Sequence, residues 1–185
     1  MMHKIFYVLI LVIFTLVGIT ADAGQVGMAP IQKIPQHGHS GATDGGTLNA
    51  PTLRVYRLSS QTLTCGAGAI IAFNGISIDN KGWFNTSTYR YTPQQPGKYL
   101  ITLVVNTTAT TATYSLIDIQ KNGAITMHVS GAAWSSTYVG LTLSDIISMN
   151  GTTDYIDANA QINGASACQL IGTTNTVLNI MRISN

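Results

Sequence analysis

The sequence contains no glutamate, since all seven of its acidic residues are aspartate, and only 9% of its residues are charged. Glutamate and lysine are common on exposed helix faces, so their scarcity beside abundant Thr, Ser, Asn, Val and Ile favours strands and turns over helices. The net charge is only +2, and the Lys and Arg residues form no basic cluster. This balance argues against binding to a nucleic-acid backbone.

Catalytic motifs are also missing. The sequence has no Gly-x-Ser-x-Gly elbow and no His-Glu-x-x-His pair, and only His128 of its four histidines falls in the part predicted to fold. Asp154 and Asp157 come nearest to a carboxylate pair, but side chains three apart on a strand point to opposite faces. We interpret them as a solvated strand start. The sequence therefore predicts a protein without enzymatic activity and without catalytic residues.

Residues 1–23 have the pattern of an export signal or an apolar anchor. Lys4 precedes an apolar run from Ile5 to Ile19, and Ala21-Asp22-Ala23 resembles a small-x-small cleavage site. The run is shorter than the roughly 20 residues that span a membrane. Cleavage predicts an exported protein, whereas retention predicts an anchor. The expected location is a virion, the extracellular space or a cell surface.

Residues 24–52 show no hydrophobic period and contain Pro30, Pro35 and Pro51. They predict an extended linker or attachment segment. Within it, "QHGHSGATDGG" places His37 one residue from His39. One chain offers two imidazoles, fewer than the four ligands of a structural zinc site, but three chains around an axis would offer six. We therefore expect either an ordinary linker or, only in a trimer, an axial metal site, and no other cofactor.

Residues 53–185 form the predicted folded domain. Short runs rich in β-branched and aromatic residues alternate with Gly, Asn, Asp and Pro, which predicts about eight to ten strands and an all-β sandwich or jelly roll. Asn122-Gly123 predicts a tight hairpin. The apolar run 97–107 predicts a central strand buried on both faces. Core or axial positions are expected at Tyr99, Ile101, Leu103, Val105, Ile180 and Met181.

One ordered set of residues resembles the signature of complement C1q-like and tumour-necrosis-factor-like jelly rolls. The set comprises Phe73-Asn74, Asp79, Gly82 with Phe84, Tyr91-Thr92-Pro93 and Gly97-Lys98-Tyr99. No collagen-like repeat precedes it. Instead, "HGHSGATDGGTL" and "SLIDIQKNG" are similar to segments of bacteriophage head-fibre and tail-fibre proteins.

This resemblance implies an antiparallel jelly roll that assembles as a homotrimer. It implies a structural or host-attachment role, as a virion fibre, decoration or receptor-binding knob anchored to a partner through its N-terminal segment. The alternative is a secreted or cell-surface bacterial module that binds a carbohydrate or protein.

Two further pairs of residues are candidates, one for a disulfide and one for contact with a receptor. Cys65 and Cys168 lie about a hundred residues apart, and they predict either a disulfide in an exported protein or two separate buried side chains. Trp83 and Trp134 fall in predicted loops, where aromatics either contact a receptor or pack beneath the loop.

Overall fold

A computed structural model describes residues 49–132, 138–164 and 166–184. Every regular element in these ranges is a β-strand. The strands are β1 Thr52–Tyr56, β2 Gln61–Thr62, β3 Ala69–Ile70, β4 Gly75–Asp79, β5 Phe84–Asn85, β6 Arg90–Tyr91, β7 Gly97–Thr110, β8 Tyr114–Lys121, β9 Ala124–Ala132, β10 Tyr138–Met149, β11 Ile156–Asn163, β12 Ser166–Leu170 and β13 Val177–Ser184. Nine of these have five or more residues, in line with the eight to ten expected from the sequence.

The strands form two antiparallel sheets packed face to face. The first sheet has the order β2-β12-β7-β13-β1-β4, and β10 pairs with the other edge of β7. The second has the order β5-β6-β11-β8-β9, and β3 also pairs with β11. Neighbours within each sheet are mostly distant in sequence, as in a jelly roll. The predicted all-β, antiparallel jelly-roll class is confirmed.

The core lies between the sheets and follows the two-residue period of the strands. On β7, Tyr99, Ile101, Leu103 and Val105 are fully buried and alternate with half-buried residues. Ile180 of β13 lies opposite Ile101 and is buried as well. The expectation that residues 97–107 are buried on both faces is therefore wrong for the single chain, because only alternate side chains reach the core.

Glycine permits the sharp entry into β7. Gly97 has φ +144, and a Cβ at this position would lie 2.3 Å from the carbonyl oxygen of Ser184. Only a residue without a Cβ fits such a close approach of two backbones. The predicted hairpin is present too, because β8 and β9 pair on either side of Asn122 and Gly123, which have φ of 54 and 78.

Two runs rich in strand-forming residues are interrupted in the structure. Tyr89 has φ 59 and lies in a turn, so β6 begins at Arg90 and Tyr89 does not share a strand face with Tyr91. The run 69–78 divides into β3 and β4. The amide of Gln61 explains this break, because it donates to the oxygen of Ile70 at 2.9 Å and accepts from the nitrogen of Ala72 at 2.9 Å.

Candidate interaction surfaces

The outer face of the first sheet carries an apolar row that crosses three strands. We define this outer face by the side chains of β10, β7, β13 and β1 that point away from the core. Ile146 lies opposite Leu100, which lies opposite Met181. Ile146 is 55% exposed and Met181 45% exposed, and Leu100 between them is half-buried. Met181, expected among core or axial positions, therefore lies on this face and outside the core.

A second apolar row runs parallel to the first, four residues away along β7 and β13. Val104 lies opposite Val177, which is buried and pairs with Tyr56. The two rows lie on the same face of the sheet and are separated by one row of polar side chains. Exposed apolar residues grouped on one face, such as Ile146 and Met181, are characteristic of a protein contact.

The polar row between these two apolar rows satisfies its own hydrogen bonds. Ser144 Oγ and Thr102 Oγ1 lie 3.1 Å apart. On the next pair of strands, Arg54 Nη1 donates to Asn179 Oδ1 at 3.1 Å. Polar groups that already pair with one another lose little when another surface excludes water from them. The polar row is therefore compatible with burial of the whole outer face.

A different apolar surface lies along the edge of the second sheet. Within the described residues, β9 pairs with β8 alone, so its other edge carries no strand of its own sheet. Ile125 and Met127 on this strand are 56% and 42% exposed. Exposed apolar edge strands promote association with another chain. The chain thus presents an apolar face on one sheet and an apolar edge on the other.

Trp83 lies beside a shallow depression of about 590 Å³ lined by Gly82, Trp83, Phe84, Asn85, Thr86, Thr92 and Gln94. We call this the Trp83 depression. The Trp83 ring is half-buried and packs against Tyr91, with the ring centroids 6.2 Å apart. Tyr91 in turn meets Tyr99 edge-on at 6.2 Å. The indole therefore packs on one buried aromatic ring, which a second buried ring contacts in turn.

Backbone hydrogen bonds fix the loop around Trp83. Asp79 accepts from the nitrogens of Trp83 and Phe84 at 3.2 and 3.0 Å, and Asn85 Oδ1 accepts from those of Ser87 and Thr88 at 2.8 and 3.1 Å. These contacts hold the loop of residues 82–88 in place before any ligand arrives.

Cys65 and Cys168 form a disulfide in the structure, with their Cα atoms 5.5 Å apart and a sequence separation of 103. Cys168 belongs to β12, which pairs with β2 just ahead of Cys65. The hydrogen bond from the nitrogen of Leu63 to the oxygen of Cys168, at 2.8 Å, continues this pairing. The bond thus ties an early edge segment to one of the last strands.

The two aspartates weighed as a carboxylate pair belong to separate ion pairs. Asp154 Oδ2 lies 2.8 Å from Lys121 Nζ, and Asp157 Oδ2 lies 3.4 Å from Arg90 Nε. Both aspartates are buried, so their interpretation as a solvated strand start is wrong. The two carboxylates pair with different cations, so they are not arranged as an acid and base pair.

The environments of these carboxylates shift their pKa values in opposite directions. Hydrogen bonds from Lys121 and then Asn122 lower the pKa of Asp154. Burial raises the pKa of Asp157, although Arg90 acts against this shift. Burial also raises the pKa of Asp118, and His128, which faces it across β8 and β9, acts in the opposite sense.

The remaining sequence candidates are distributed as follows. His37, His39 and Trp134 lie outside the described residues. His128 is an exposed residue of β9. In the described ranges no group of three or more His, Cys, Asp or Glu side chains is arranged to hold a metal ion. The same ranges contain no helix long and apolar enough to cross a membrane.

Comparison with known proteins identifies the fold. The sequence matches no protein-family model and no curated protein. Among solved structures, the globular domain of zebrafish complement 1qA is similar over 73% of this chain and 99% of that domain, with a TM-score of 0.58 and 13% identity. Eiger TNF from S. frugiperda covers 74% of this chain and 94% of its own, with a TM-score of 0.56 and 6% identity.

Murine APRIL is similar as well, with a TM-score of 0.57 and 9% identity over 72% of this chain and 99% of that protein. These similarities show that the chain has a C1q/TNF-like jelly-roll fold. They agree with the resemblance first seen in the segment from Phe73 to Tyr99.

Sequence reasoning expected residues 97–107 to be buried on both faces, but it did not identify the outer face that they share with Ile146, and it missed the apolar edge of β9. One further signal was available. Leu100, Val104, Ile146 and Met181 are apolar residues at positions that alternate with the core set. In a strand with one buried face these positions are usually polar. Their apolar character indicates a second buried face, which the isolated chain does not provide.

Proposed function

We propose that this chain is a non-enzymatic structural or adhesion protein that acts as a homotrimer. The observation that carries the proposal is the apolar outer face of the first sheet, where Ile146, Leu100 and Met181 form a continuous row across three strands. The C1q/TNF-like fold supports it, and so does the lack of a carboxylate pair or metal cluster among the described residues.

The positions of the apolar surfaces favour a ring over a two-fold dimer. The outer face of the first sheet and the β9 edge, with Ile125 and Met127, lie on different parts of the chain. If the edge of one copy packs against the face of the next, the contact is heterologous, and such contacts form a closed ring when the rotation between copies closes. Three copies close the ring in the arrangement proposed here.

We further propose that the trimer serves as a virion fibre, decoration or receptor-binding knob. Residues 24–52 would attach it to a virion or cell-surface partner. The similarity of "HGHSGATDGGTL" to bacteriophage fibre segments supports this role. In such a trimer, His37 and His39 would supply six imidazoles near one axis for a metal ion. Residues 1–23 would then be a cleaved signal or a retained anchor.

The second candidate is a secreted or cell-surface bacterial module that binds a carbohydrate or protein. The disulfide between Cys65 and Cys168 favours it, because such bonds persist in oxidising compartments. Genes for capsid or tail proteins beside this one would support the virion role and contradict the second candidate. Mass spectrometry of the mature N-terminus tests a separate point: a chain cut after residue 23 supports export, and an intact Met1 supports a retained anchor.

The trimer is tested by placing a charge on the outer face. Leu100 is a half-buried outward residue of β7, and Leu116 is a half-buried outward residue of β8 in the other sheet. Leu100→Asp buries an unpaired carboxylate in the proposed interface, so we expect it to dissociate the trimer. Leu116→Asp introduces the same charge on a matched central strand and leaves the interface intact.

Light scattering after size-exclusion chromatography gives the mass of each protein. We expect the parent and Leu116→Asp to have three times the chain mass, and Leu100→Asp to have the mass of one chain. Circular dichroism checks that both variants retain strand structure. A parent that is monomeric at micromolar concentration, or a folded Leu100→Asp variant that stays trimeric, contradicts the proposal.

A further inference from the structure

The Trp83 depression combines a supported aromatic ring with neutral polar side chains. Its polar residues are Asn85, Thr86, Thr92 and Gln94, and no lining residue carries an ionisable side chain. The nearby carboxylate of Asp79 is already occupied by two backbone nitrogens of the loop. The surface therefore offers one apolar platform surrounded by amides and hydroxyls.

Several polar atoms around the depression are available to a ligand. Gln94 Nε2 donates to the oxygen of Thr92 at 3.0 Å, which leaves Gln94 Oε1 as an acceptor. In the part of the chain that the structure describes, Trp83 Nε1 and Thr86 Oγ1 make no hydrogen bond to protein. The site thus presents both donors and acceptors at its rim.

We propose that the Trp83 depression binds a neutral carbohydrate. A sugar ring has an apolar face of C–H groups that can pack on the indole, and hydroxyls that both donate and accept hydrogen bonds. An amphipathic aromatic with neutral amides and hydroxyls matches this chemistry. An anionic sugar would instead call for a cationic partner such as arginine, which the lining lacks.

The depression is built for binding with little rearrangement. Trp83 packs against Tyr91, which in turn contacts Tyr99. The hydrogen bonds accepted by Asp79 and Asn85 hold the loop of Trp83. A site already held in its bound shape loses less entropy when it takes up a ligand. Three such sites in one trimer would bind a multivalent glycan surface far more tightly than a single site.

This inference rests on the proposed adhesive role, because it names the ligand class of that role. It is tested with the full chain on an array of neutral and sialylated oligosaccharides. Each neutral oligosaccharide that binds is then titrated in a Trp134→Phe background, where Trp83 is the one remaining tryptophan and its fluorescence reports binding. We expect neutral glycans to bind and to change this fluorescence.

Three variants locate the site. Each is titrated by isothermal calorimetry with the neutral oligosaccharide selected on the array. Trp83→Ala should weaken binding about tenfold or more, as for a buried aromatic anchor. Gln94→Ala changes an exposed rim residue, so folding is retained, and it should weaken binding several-fold. Tyr114→Ala removes an exposed aromatic at the opposite end of the second sheet and should leave binding unchanged.

The inference is overturned if the chain binds no neutral glycan. It is also overturned if neither Trp83→Ala nor Gln94→Ala weakens the binding. A preference for sialylated glycans overturns it too. The solution mass of the parent chain distinguishes a failure of the carbohydrate proposal from a failure of the trimer proposal. A trimer that binds no neutral glycan contradicts only the carbohydrate site, whereas a monomer that binds one through Trp83 contradicts only the trimer.

Discussion

Removal of the Cys65–Cys168 disulfide should destabilise the folded domain strongly. The bond closes a loop with a sequence separation of 103. In the chain-entropy model, a loop of this length restricts the unfolded chain by about 4.7 kcal/mol. This is a large fraction of the roughly 5 to 15 kcal/mol that stabilises an ordinary domain. The paired variant Cys65→Ala/Cys168→Ala removes the bond without leaving a lone thiol.

Urea unfolding followed by circular dichroism measures the effect. With a slope of about 2 kcal/mol per molar urea, a loss of about 4.7 kcal/mol lowers the midpoint by about 2 M. Parent and variant are compared at equal chain concentration, because association itself raises the midpoint. The parent under reducing conditions provides a second comparison with an unchanged sequence.

Two results would refute this reasoning. A thiol assay that finds two reactive cysteines in the unfolded, unreduced parent shows that the bond does not form in solution. A midpoint shift below about 0.5 M shows that the closed loop contributes little to stability. Cys168 is buried whereas Cys65 is half-buried, so we expect reductant to attack slowly and mainly after local opening around Cys65.

Three further substitutions test a buried carboxylate and the backbone. Burial raises the pKa of Asp118 above its unfolded value, so the free energy of unfolding falls as the pH rises from the unfolded pKa through the folded one. Asp118→Asn removes this carboxylate and should therefore gain about 1 kcal/mol of stability at pH 7 and less at pH 3. Urea titrations of parent and variant at both pH values check this, and a variant that gains no more stability at pH 7 than at pH 3 contradicts it. Gly97→Ala should cost about 2 kcal/mol or more, because its Cβ would meet the oxygen of Ser184. Gly82→Ala, with φ +67 and open space around its Cβ, should cost about 1 kcal/mol, and equal thermal shifts would contradict the close-approach explanation.

The parts of the fold that the sequence predicted are those set by local chemistry. Asn122-Gly123 specifies a tight turn whatever lies around it. The apolar run 97–107 indicated a central strand, with Tyr99 and Ile101 among the expected core or axial positions. These features depend on a few neighbouring residues, so a single sequence is enough to show them.

The features that were missed depend on distant parts of the chain. The amide of Gln61 interrupts the run 69–78, and no local pattern reveals that contact. Tyr89 takes a left-handed conformation in the turn that also includes Asn85. The ion pair of Asp157 with Arg90 joins strands 67 residues apart. Register between such strands is set by the assembled sheet and is not encoded in either segment alone.

The sequence likewise predicted only part of each candidate surface. Trp83 was recognised as a loop aromatic, but the depression beside it requires Thr92 and Gln94 to fold back against the loop. The apolar outer face was hidden in the long apolar run of β7, where alternate residues serve two different surfaces. One surface is the core, and we propose that the other is the contact with a second copy of the chain.

The most direct test of the account is the solution mass of the purified chain at micromolar concentration, measured by light scattering and by native mass spectrometry. The account predicts three times the chain mass. It also predicts that Leu100→Asp reduces this to one chain mass while Leu116→Asp does not. A folded parent with the mass of one chain would contradict the account.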